Sequence, residues 1–355
     1  MTVVVSSSRA SNALGRALTL ADVAGRIGPV EVWAFDDGPL WRGAAQWGHA
    51  VTPFTEWRAV ARRVAELAGH GETVVWLSKS FPPLGRLARW LRLSTAAIVI
   101  ADFDDDDLAL IREYRASSVL RRATLNAARR TGLVRVGRSQ HEAIDAAHAV
   151  TVSTFALARR MSLPDDVPVQ RVVHARERVG RGRVRASVRR IGFLGTIRPH
   201  KGIERVTALV ASDPRLVGVT FAQAEWSVPS HLSDRWVELE PSLPLADAYD
   251  SIDVSVVPSD ADSDAARVQL PAKAIDAVAA GVPLLATPTP ALDEVLGDAY
   301  LAVSDWRPAT VAALVGDAAG LSAAAHRAEL RFAEALSVKA NASRLLDLLV
   351  RIRGA

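Results

Sequence analysis

The chain has 355 residues, 49% of them apolar, which is enough for two domains of ordinary size. Its 43 basic and 39 acidic side chains leave a net charge of +4, a weak sign of an anionic partner. The absence of cysteine excludes disulfides and thiolate metal sites and is consistent with a cytoplasmic location. No run reaches the ~18 uninterrupted apolar residues of a membrane span. The short, uncharged segment 1–8 predicts a strand and not a signal peptide.

Strand and helix patterns alternate along the first half of the chain. Strands are predicted at 2–8, 30–35, 73–77, 96–101, 149–153 and 169–173, and helices at 13–24, 57–67, 84–93, 119–131, 140–148 and 154–161. Such alternation predicts a parallel sheet with helices on both faces. We therefore predict an α/β domain over residues 1–175.

The composition changes at residues 175–190, which contain seven arginines. A solvated linker over 176–190 is the first interpretation, and contact with an anionic membrane surface is the second. Nucleic acid is the least favoured partner, because no aromatic stacking platform accompanies the arginines.

A second α/β half follows the arginine-rich stretch. Strands are predicted at 191–195, 218–222, 254–257 and 282–286, and helices at 202–211, 245–250, 271–280, 306–318, 322–336 and 338–352. We predict a second domain over 191–335.

The most informative stretch runs from 258 to 287. An apolar run ends at Pro258, and a polar loop leads to Pro271, which is placed to open a helix. Gly281 is placed to end that helix. The loop then lies at the carboxyl end of a parallel strand, where ligands bind in open α/β sheets. The free N–H groups of the helix start suit a phosphate, and Lys273 and Asp276 lie in its first two turns.

The segment Pro271-x-Lys273-x-x-Asp276-Ala-x-Ala-x-Gly281-Val-Pro283 resembles the donor-binding helix of family 4 retaining glycosyltransferases of the GT-B fold. The resemblance implies that Asp276 binds the ribose of a nucleotide-sugar, with Gln269, Leu270 and Lys273 nearby. Two positions depart from the family pattern. The acid is Asp where the family usually has Glu, and a second acid of the family falls on Val268.

A second motif lies between a strand and a helix at Gly195-Thr196-Ile-Arg198-Pro-His-Lys201-Gly202. A turn here can direct Arg198 and Lys201 toward a leaving diphosphate, where negative charge grows in the transition state. The alternative is that both are solvated loop charges. The same family has Lys-Gly at this place, so the resemblance assigns catalysis to Arg198 and Lys201 and donor contacts to Gly195 and Thr196.

Two regions of the first half are candidates for an acceptor site. One is the loop after the first strand, with Ser8, Asn12 and Gly15, which ordinary turn chemistry explains equally well. The other is the acidic run 102–107, where Asp104 and Asp105 are the candidates for polar contacts. Helix capping with solvated carboxylates is the main alternative there, and a metal site is the third. We expect no metal and no cofactor.

The resemblance implies two Rossmann-like doubly wound domains facing a cleft, with a helix at 336–355 returning to the first domain. The implied activity is retaining hexosyl transfer from a nucleotide-sugar to a glycan, a lipid-linked acceptor or a small molecule. It also implies that no protein base is required. The alternatives are a non-catalytic nucleotide-sugar-binding subunit and a nucleotide-sugar 2-epimerase of the same fold. We expect a cytoplasmic protein, with membrane contact as the open question.

Overall fold

The computed structural model describes residues 1–113, 119–161, 163–180, 187–198, 201–224, 226–260 and 263–354, without the side chains of 119–130. The chain divides into two compact units. The first unit comprises Met1–Ala175 with Asn341–Ala355, and the second comprises Arg176–Ala340.

The first unit is built on a seven-stranded sheet in which every pairing is parallel. Its strands are β1 (Thr2–Ser6), β2 (Val30–Phe35), β3 (Val51–Phe54), β4 (Val74–Ser78), β5 (Ile98–Phe103), β6 (Ala149–Val152) and β7 (Val169–Arg171). Their order is β3-β2-β1-β4-β5-β6-β7. The chain therefore reverses its direction of travel between the neighbours β1 and β4. Strand β3 was missed from the sequence, because the proline at its third position hides the strand pattern.

The helices of the first unit are α1 (Ala13–Gly25), α2 (Trp57–His70), α3 (Leu84–Ser94), α4 (Asp107–Glu113), α5 (Val119–Ala146) and α6 (Phe155–Met161). The two helices predicted at 119–131 and 140–148 are wrong as separate elements, since α5 is continuous. The glycines at 132 and 137 lower helix propensity without ending the helix. Buried Trp33 and Trp76 fill the core of this unit.

The second unit contains a six-stranded parallel sheet. Its strands are β8 (Arg190–Phe193), β9 (Val217–Phe221), β10 (Trp236–Leu239), β11 (Val254–Val257), β12 (Leu284–Ala286) and β13 (Leu301–Ala302). The order is β10-β9-β8-β11-β12-β13, so the reversal lies between β8 and β11.

The helices that follow are α7 (Ile203–Ser212), α8 (Leu245–Asp250), α9 (Asp264–Val268), α10 (Ala272–Ala280), α11 (Pro290–Leu296), α12 (Pro308–Gly316), α13 (Ala318–Arg331) and α14 (Val338–Gly354). A short π-helical turn, Phe332–Leu336, follows α13. Pro271 is the N-cap of α10 and not its first helical residue, a shift of one position from the prediction. Gly281 ends α10 in the left-handed conformation at φ 70°, as its type requires.

Residues 176–180 pack within the second unit. Arg176 forms a parallel bridge with Ser337, and the Val179 N–H donates to the Ala279 carbonyl at 3.1 Å. Of the stretch predicted as a linker, residues 181–186 lie outside the described residues. Backbone hydrogen bonds and the ion pairs of Arg176 and Arg178 with Asp276 and Glu329 therefore hold residues 176–180 in the second unit.

No single helix among the described residues combines the length and the apolar composition of a membrane span. Helix α12 passes that test only together with Ala318–Leu336, across a 76° bend.

Candidate functional site

The loops after β8 and β11 lie together at the carboxyl edge of the second sheet, where the strand order reverses. This is the place where open α/β sheets bind ligands. Gly202 brings the two loops together. It has φ 73°, and a Cβ atom there would lie 2.0 Å from the Pro258 carbonyl oxygen. Arg205 also binds this turn, since its Nη1 lies 3.2 Å from Pro258 O and 3.1 Å from Ser259 O.

Gln223, which follows β9, fixes the loop after β8. Its Nε2 donates to the Gly195 carbonyl at 2.8 Å, and its Oε1 accepts from the Ile197 N–H at 2.8 Å. The loop conformation at Gly195 and Thr196 is thus held from a neighbouring strand. Sequence reasoning missed Gln223, although a polar residue directly after a buried strand was a signal that could have indicated it.

Lys273 extends from the first turn of α10 into a buried position beneath this loop. Its Nζ lies 3.4 Å from the centroid of the Phe193 ring, and the side chain is 7% exposed. A Cβ atom at Gly195 would lie 3.2 Å from Lys273 Cδ, so the glycine leaves room for the lysine. No described residue accepts a hydrogen bond from Nζ. A buried ammonium group without an acceptor is rare, since its burial is costly.

Burial, followed by the positive charge of Lys201, lowers the pKa of Lys273 well below its usual value of 10.5. Lys201 is half-buried, and its N–H donates to the Arg198 carbonyl at 2.9 Å. Arg198 and Thr196 are exposed. The structure therefore brings two lysine side chains to one edge of the sheet near the start of α10. This arrangement suits an anion.

Asp276, one turn beyond Lys273, is buried and forms an ion pair with Arg176. The Arg176 Nε donates to Asp276 Oδ1 at 2.6 Å. Burial raises the pKa of Asp276, and Arg176 opposes that rise. Tyr249 packs beside them, and its hydroxyl donates to the Lys273 carbonyl at 2.9 Å. Sequence reasoning found Asp276 and missed Arg176, because the pair joins positions 100 residues apart.

Gln269 and Leu270 form the connection from α9 to α10. Gln269 is half-buried and its N–H donates to the Ala265 carbonyl at 3.1 Å, whereas Leu270 is buried. Val268 lies in α9, at the position where the family that the sequence resembles has a second acid, and it is 8% exposed. An apolar side chain at this position is explained by its burial.

In the first unit, the loop after β1 folds onto Asp37. The N–H groups of Arg9 and Ala10 donate to Asp37 Oδ1 at 3.0 and 3.1 Å, and Ser8 is buried. Asn12 is exposed at the start of α1 and makes no side-chain capping bond. At Gly15, a Cβ atom would approach the Trp41 ring to 2.9 Å. Gly15 is therefore explained by the packing of Trp41.

The acidic run after β5 is organised around Lys79, which follows β4. Lys79 Nζ lies 2.9 Å from Asp104, 2.8 Å from Asp105 and 3.7 Å from Asp107. The expectation that these carboxylates are solvated is wrong for Asp104 and Asp107, which are buried. The capping expectation holds for Asp106, whose Oδ1 accepts from the Ala109 N–H at 2.9 Å.

Burial acts against the ionised form of Asp104 and Asp107. Burial raises the pKa of Asp104 to about 6 and that of Asp107 to about 8, against the effect of Lys79. Asp102 differs, because buried Arg16 binds both of its oxygens at 2.9 and 2.7 Å. In the described part of the chain, no group of three or more potential ligand side chains has a metal-site arrangement.

The two parallel sheets with alternating helices match those of solved GT-B structures, in agreement with the fold class predicted from the sequence. Residues 188–319 match the family model of "Glycosyl transferases group 1". This segment contains both motifs of the second unit. The matched residues make up less than half of the chain.

Several solved structures are similar along nearly the whole chain. Anabaena HepE in complex with UDP and glucose has a TM-score of 0.65 at 13% identity, with 99% of this chain and 100% of that chain covered. A glycosyltransferase from Rickettsia africae has a TM-score of 0.63 at 11% identity, with 99% and 98% covered. The N-terminal domain of Candida albicans trehalose-6-phosphate phosphatase has a TM-score of 0.60 at 10% identity, with 98% of this chain and 96% of that chain covered.

No curated protein sequence is significantly similar to this chain. At such low identities the structural likeness establishes the fold alone. One fold can serve several functions. Donor, acceptor and stereochemistry must therefore be argued from the site itself.

Proposed function

We propose that this protein is a retaining glycosyltransferase that moves a hexosyl group from a nucleotide-sugar to an acceptor, with the donor held by the second unit. One observation carries the proposal. The buried Lys273 ammonium has no acceptor among the described residues and lies beside Lys201 at the strand-order reversal. A diphosphate supplies the acceptor oxygens and the negative charge that this position calls for.

In this proposal, Lys273 and Lys201 bind the diphosphate, and Arg198 adds a third positive charge from the exposed side of the loop. The main chain at Gly195 and Thr196, fixed by Gln223, contacts the donor next to the phosphates. Gln269 and Leu270 contact the nucleotide, and Asp276 accepts hydrogen bonds from the ribose hydroxyls.

Negative charge on the diphosphate grows as the bond to the sugar breaks. Lys201 is half-buried, so it retains solvent access and can face this charge in the transition state. For retention we propose front-side attack, in which the departing diphosphate takes the proton of the acceptor hydroxyl. No protein base is then required, and we propose that no metal ion is required either.

For the acceptor side we propose Ser8, Asn12 and Gly15 in the loop after β1, with Asp104 and Asp105 after β5. Arg16, next to Gly15, donates to both carboxylate oxygens of Asp102 at 2.9 and 2.7 Å. This ion pair joins the start of α1 to the beginning of the acidic run within the first unit. The acceptor is a glycan, a lipid-linked molecule or a small molecule.

A second candidate is a binding subunit without catalysis. Val268 favours it, since an apolar residue stands where the resemblance expects an acid. An epimerase of the same fold is the third candidate. The cytoplasmic location and the membrane contact stay predictions, which cell fractionation and vesicle binding would test.

The first experiment is a thermal-shift and native mass spectrometry screen of the full chain against nucleotide-sugars of uridine, guanosine, adenosine and thymidine. UDP-glucose is the first to test, because HepE was solved with UDP and glucose. We expect one nucleotide to stabilise the protein, and Lys273→Met to reduce that shift. A screen in which no nucleotide-sugar binds would contradict the proposal.

A further inference from the structure

Asp276 of α10 and Arg176 form a buried ion pair in the second unit. The Nε–Oδ1 distance is 2.6 Å, and the two side chains are 11% and 12% exposed. At such burial, removing one partner leaves an uncompensated charge. The pair therefore influences the ionisation of Asp276, the carboxylate that binds the ribose in the proposed function.

The backbone of Arg176 is held on both sides. Its N–H donates to the Leu336 carbonyl at 3.1 Å, and its carbonyl accepts from the Val338 N–H at 3.0 Å. These bonds place the guanidinium against α10 from a separate segment of the chain. Arg176 is consequently a fixed part of the site and not a mobile surface side chain.

The ionised form of Asp276 is the one that can accept two hydrogen bonds from a ribose diol, because a protonated carboxyl is also a donor. Burial raises the pKa of Asp276, and Arg176 acts in the opposite direction. Among the described residues, Tyr249 also interacts with Asp276. Burial and then the charge of Asp276 raise the pKa of Tyr249 well above its usual value, so Tyr249 stays neutral.

We propose that Arg176 is a positioning residue for donor binding, which keeps Asp276 ionised and orients its carboxylate toward the ribose hydroxyls. This inference rests on the proposed function. The opposite role is that Arg176 covers Asp276 and competes with the donor. The two roles predict changes of opposite sign in nucleotide affinity when Arg176 is removed.

The wild type is first titrated calorimetrically with UDP, GDP, ADP and dTDP to find the nucleotide that it binds. The wild type and the variants are then titrated with that nucleotide between about pH 5.5 and about pH 8.5. We expect Arg176→Ala to weaken binding by about tenfold or more near pH 6, the range of a lost charged hydrogen bond. The loss should shrink as pH rises, since Asp276 then ionises without help. Arg176→Lys should restore part of the affinity, because it keeps the charge.

Two controls separate this role from a general structural one. Arg178→Ala is the matched variant, because Arg178 lies in the same segment but pairs with Glu329 at 3.2 Å and covers the Phe332 ring. It should bind the nucleotide as the wild type does. In an Asp276→Asn background, Arg176→Ala should produce no further loss, since its partner charge is absent.

The outcomes are distinguishable. A wild type that binds none of the four nucleotides would overturn the proposed function and this inference with it. A wild type that binds, together with an Arg176→Ala variant of equal or higher affinity, would overturn the role of Arg176 alone. An equal loss in the Asp276→Asn background would also overturn it. Circular dichroism of each variant confirms folding, and Arg176→Lys replaces Arg176→Ala if the latter does not fold.

Discussion

Lys273 provides the sharpest prediction, because removal of its ammonium group should change stability and donor affinity in opposite directions. Lys273→Met keeps the length and most of the volume of the side chain and removes the ammonium. If the lysine is held in a buried place for an anion, the variant should be more stable and should bind the donor less well. Such a trade-off is typical of functional sites.

The magnitude follows from the surroundings of Nζ. Burying the Lys273 ammonium without a hydrogen-bond acceptor costs on the order of a few kcal/mol. The contact with the Phe193 ring at 3.4 Å offsets up to about 2 kcal/mol of this when the cation is desolvated. We therefore expect Lys273→Met to raise the free energy of unfolding by about 1–3 kcal/mol, since a methionine sulfur also packs well on an aromatic ring.

The pH dependence gives a second signature. The folded state lowers the pKa of Lys273, so it binds fewer protons than the unfolded state between that lowered value and 10.5. The stability of the wild type should rise with pH in this window, and Lys273→Met should lose that rise. Urea unfolding at a series of pH values measures both effects.

Nucleotide affinity is measured in parallel by calorimetry. The loss of one charged hydrogen bond predicts affinity lower by about 10- to 150-fold. Lys339→Met is the control, since Lys339 is exposed and lies outside the proposed site. A Lys273→Met variant that is less stable and binds nucleotide normally would refute the reasoning and make Lys273 a packing residue.

Further predictions concern other residues of the two units. Lys201→Ala should reduce the turnover number by roughly 100- to 1000-fold with less effect on donor binding, measured by steady-state kinetics. Gly202→Ala should lower the melting temperature, because φ 73° alone costs about 1–2 kcal/mol and the new Cβ meets Pro258 O. Between about pH 4 and the pKa of about 8, Asp107 binds more protons in the folded state than in the unfolded state. The stability of the wild type should therefore fall as pH rises through this range. Asp107→Asn should flatten that fall, as measured by urea unfolding at a series of pH values. Turnover should survive EDTA, and its loss with recovery on adding magnesium would contradict the metal-free proposal.

Local sequence signals predicted most of the architecture. Alternating apolar segments indicated both parallel sheets, and Gly281 marked the end of α10 correctly because its left-handed backbone is a local requirement. The proline in β3 hid that strand, and the glycines in α5 led to the prediction of two helices instead of one. In both cases tertiary packing overrides a local propensity.

The candidate site was predicted only in part. Lys201, Lys273 and Asp276 stand in short motifs, so their order along the chain was sufficient to indicate them. Arg176, Gln223 and Lys79 act through partners on distant segments, and their roles depend on which strands become neighbours. The buried state of the carboxylates after β5 was missed for the same reason, since Lys79 arrives from β4.

Proton NMR of the nucleotide-sugar during incubation with the full chain and a panel of acceptors tests the central claim most directly. It follows the anomeric signal of the donor, the release of nucleoside diphosphate and the configuration of the product in one measurement. Our account predicts diphosphate release with a product of the same anomeric configuration as the donor, and its loss in Lys201→Ala. A donor that binds and is never consumed, or that is converted to its 2-epimer, would contradict it.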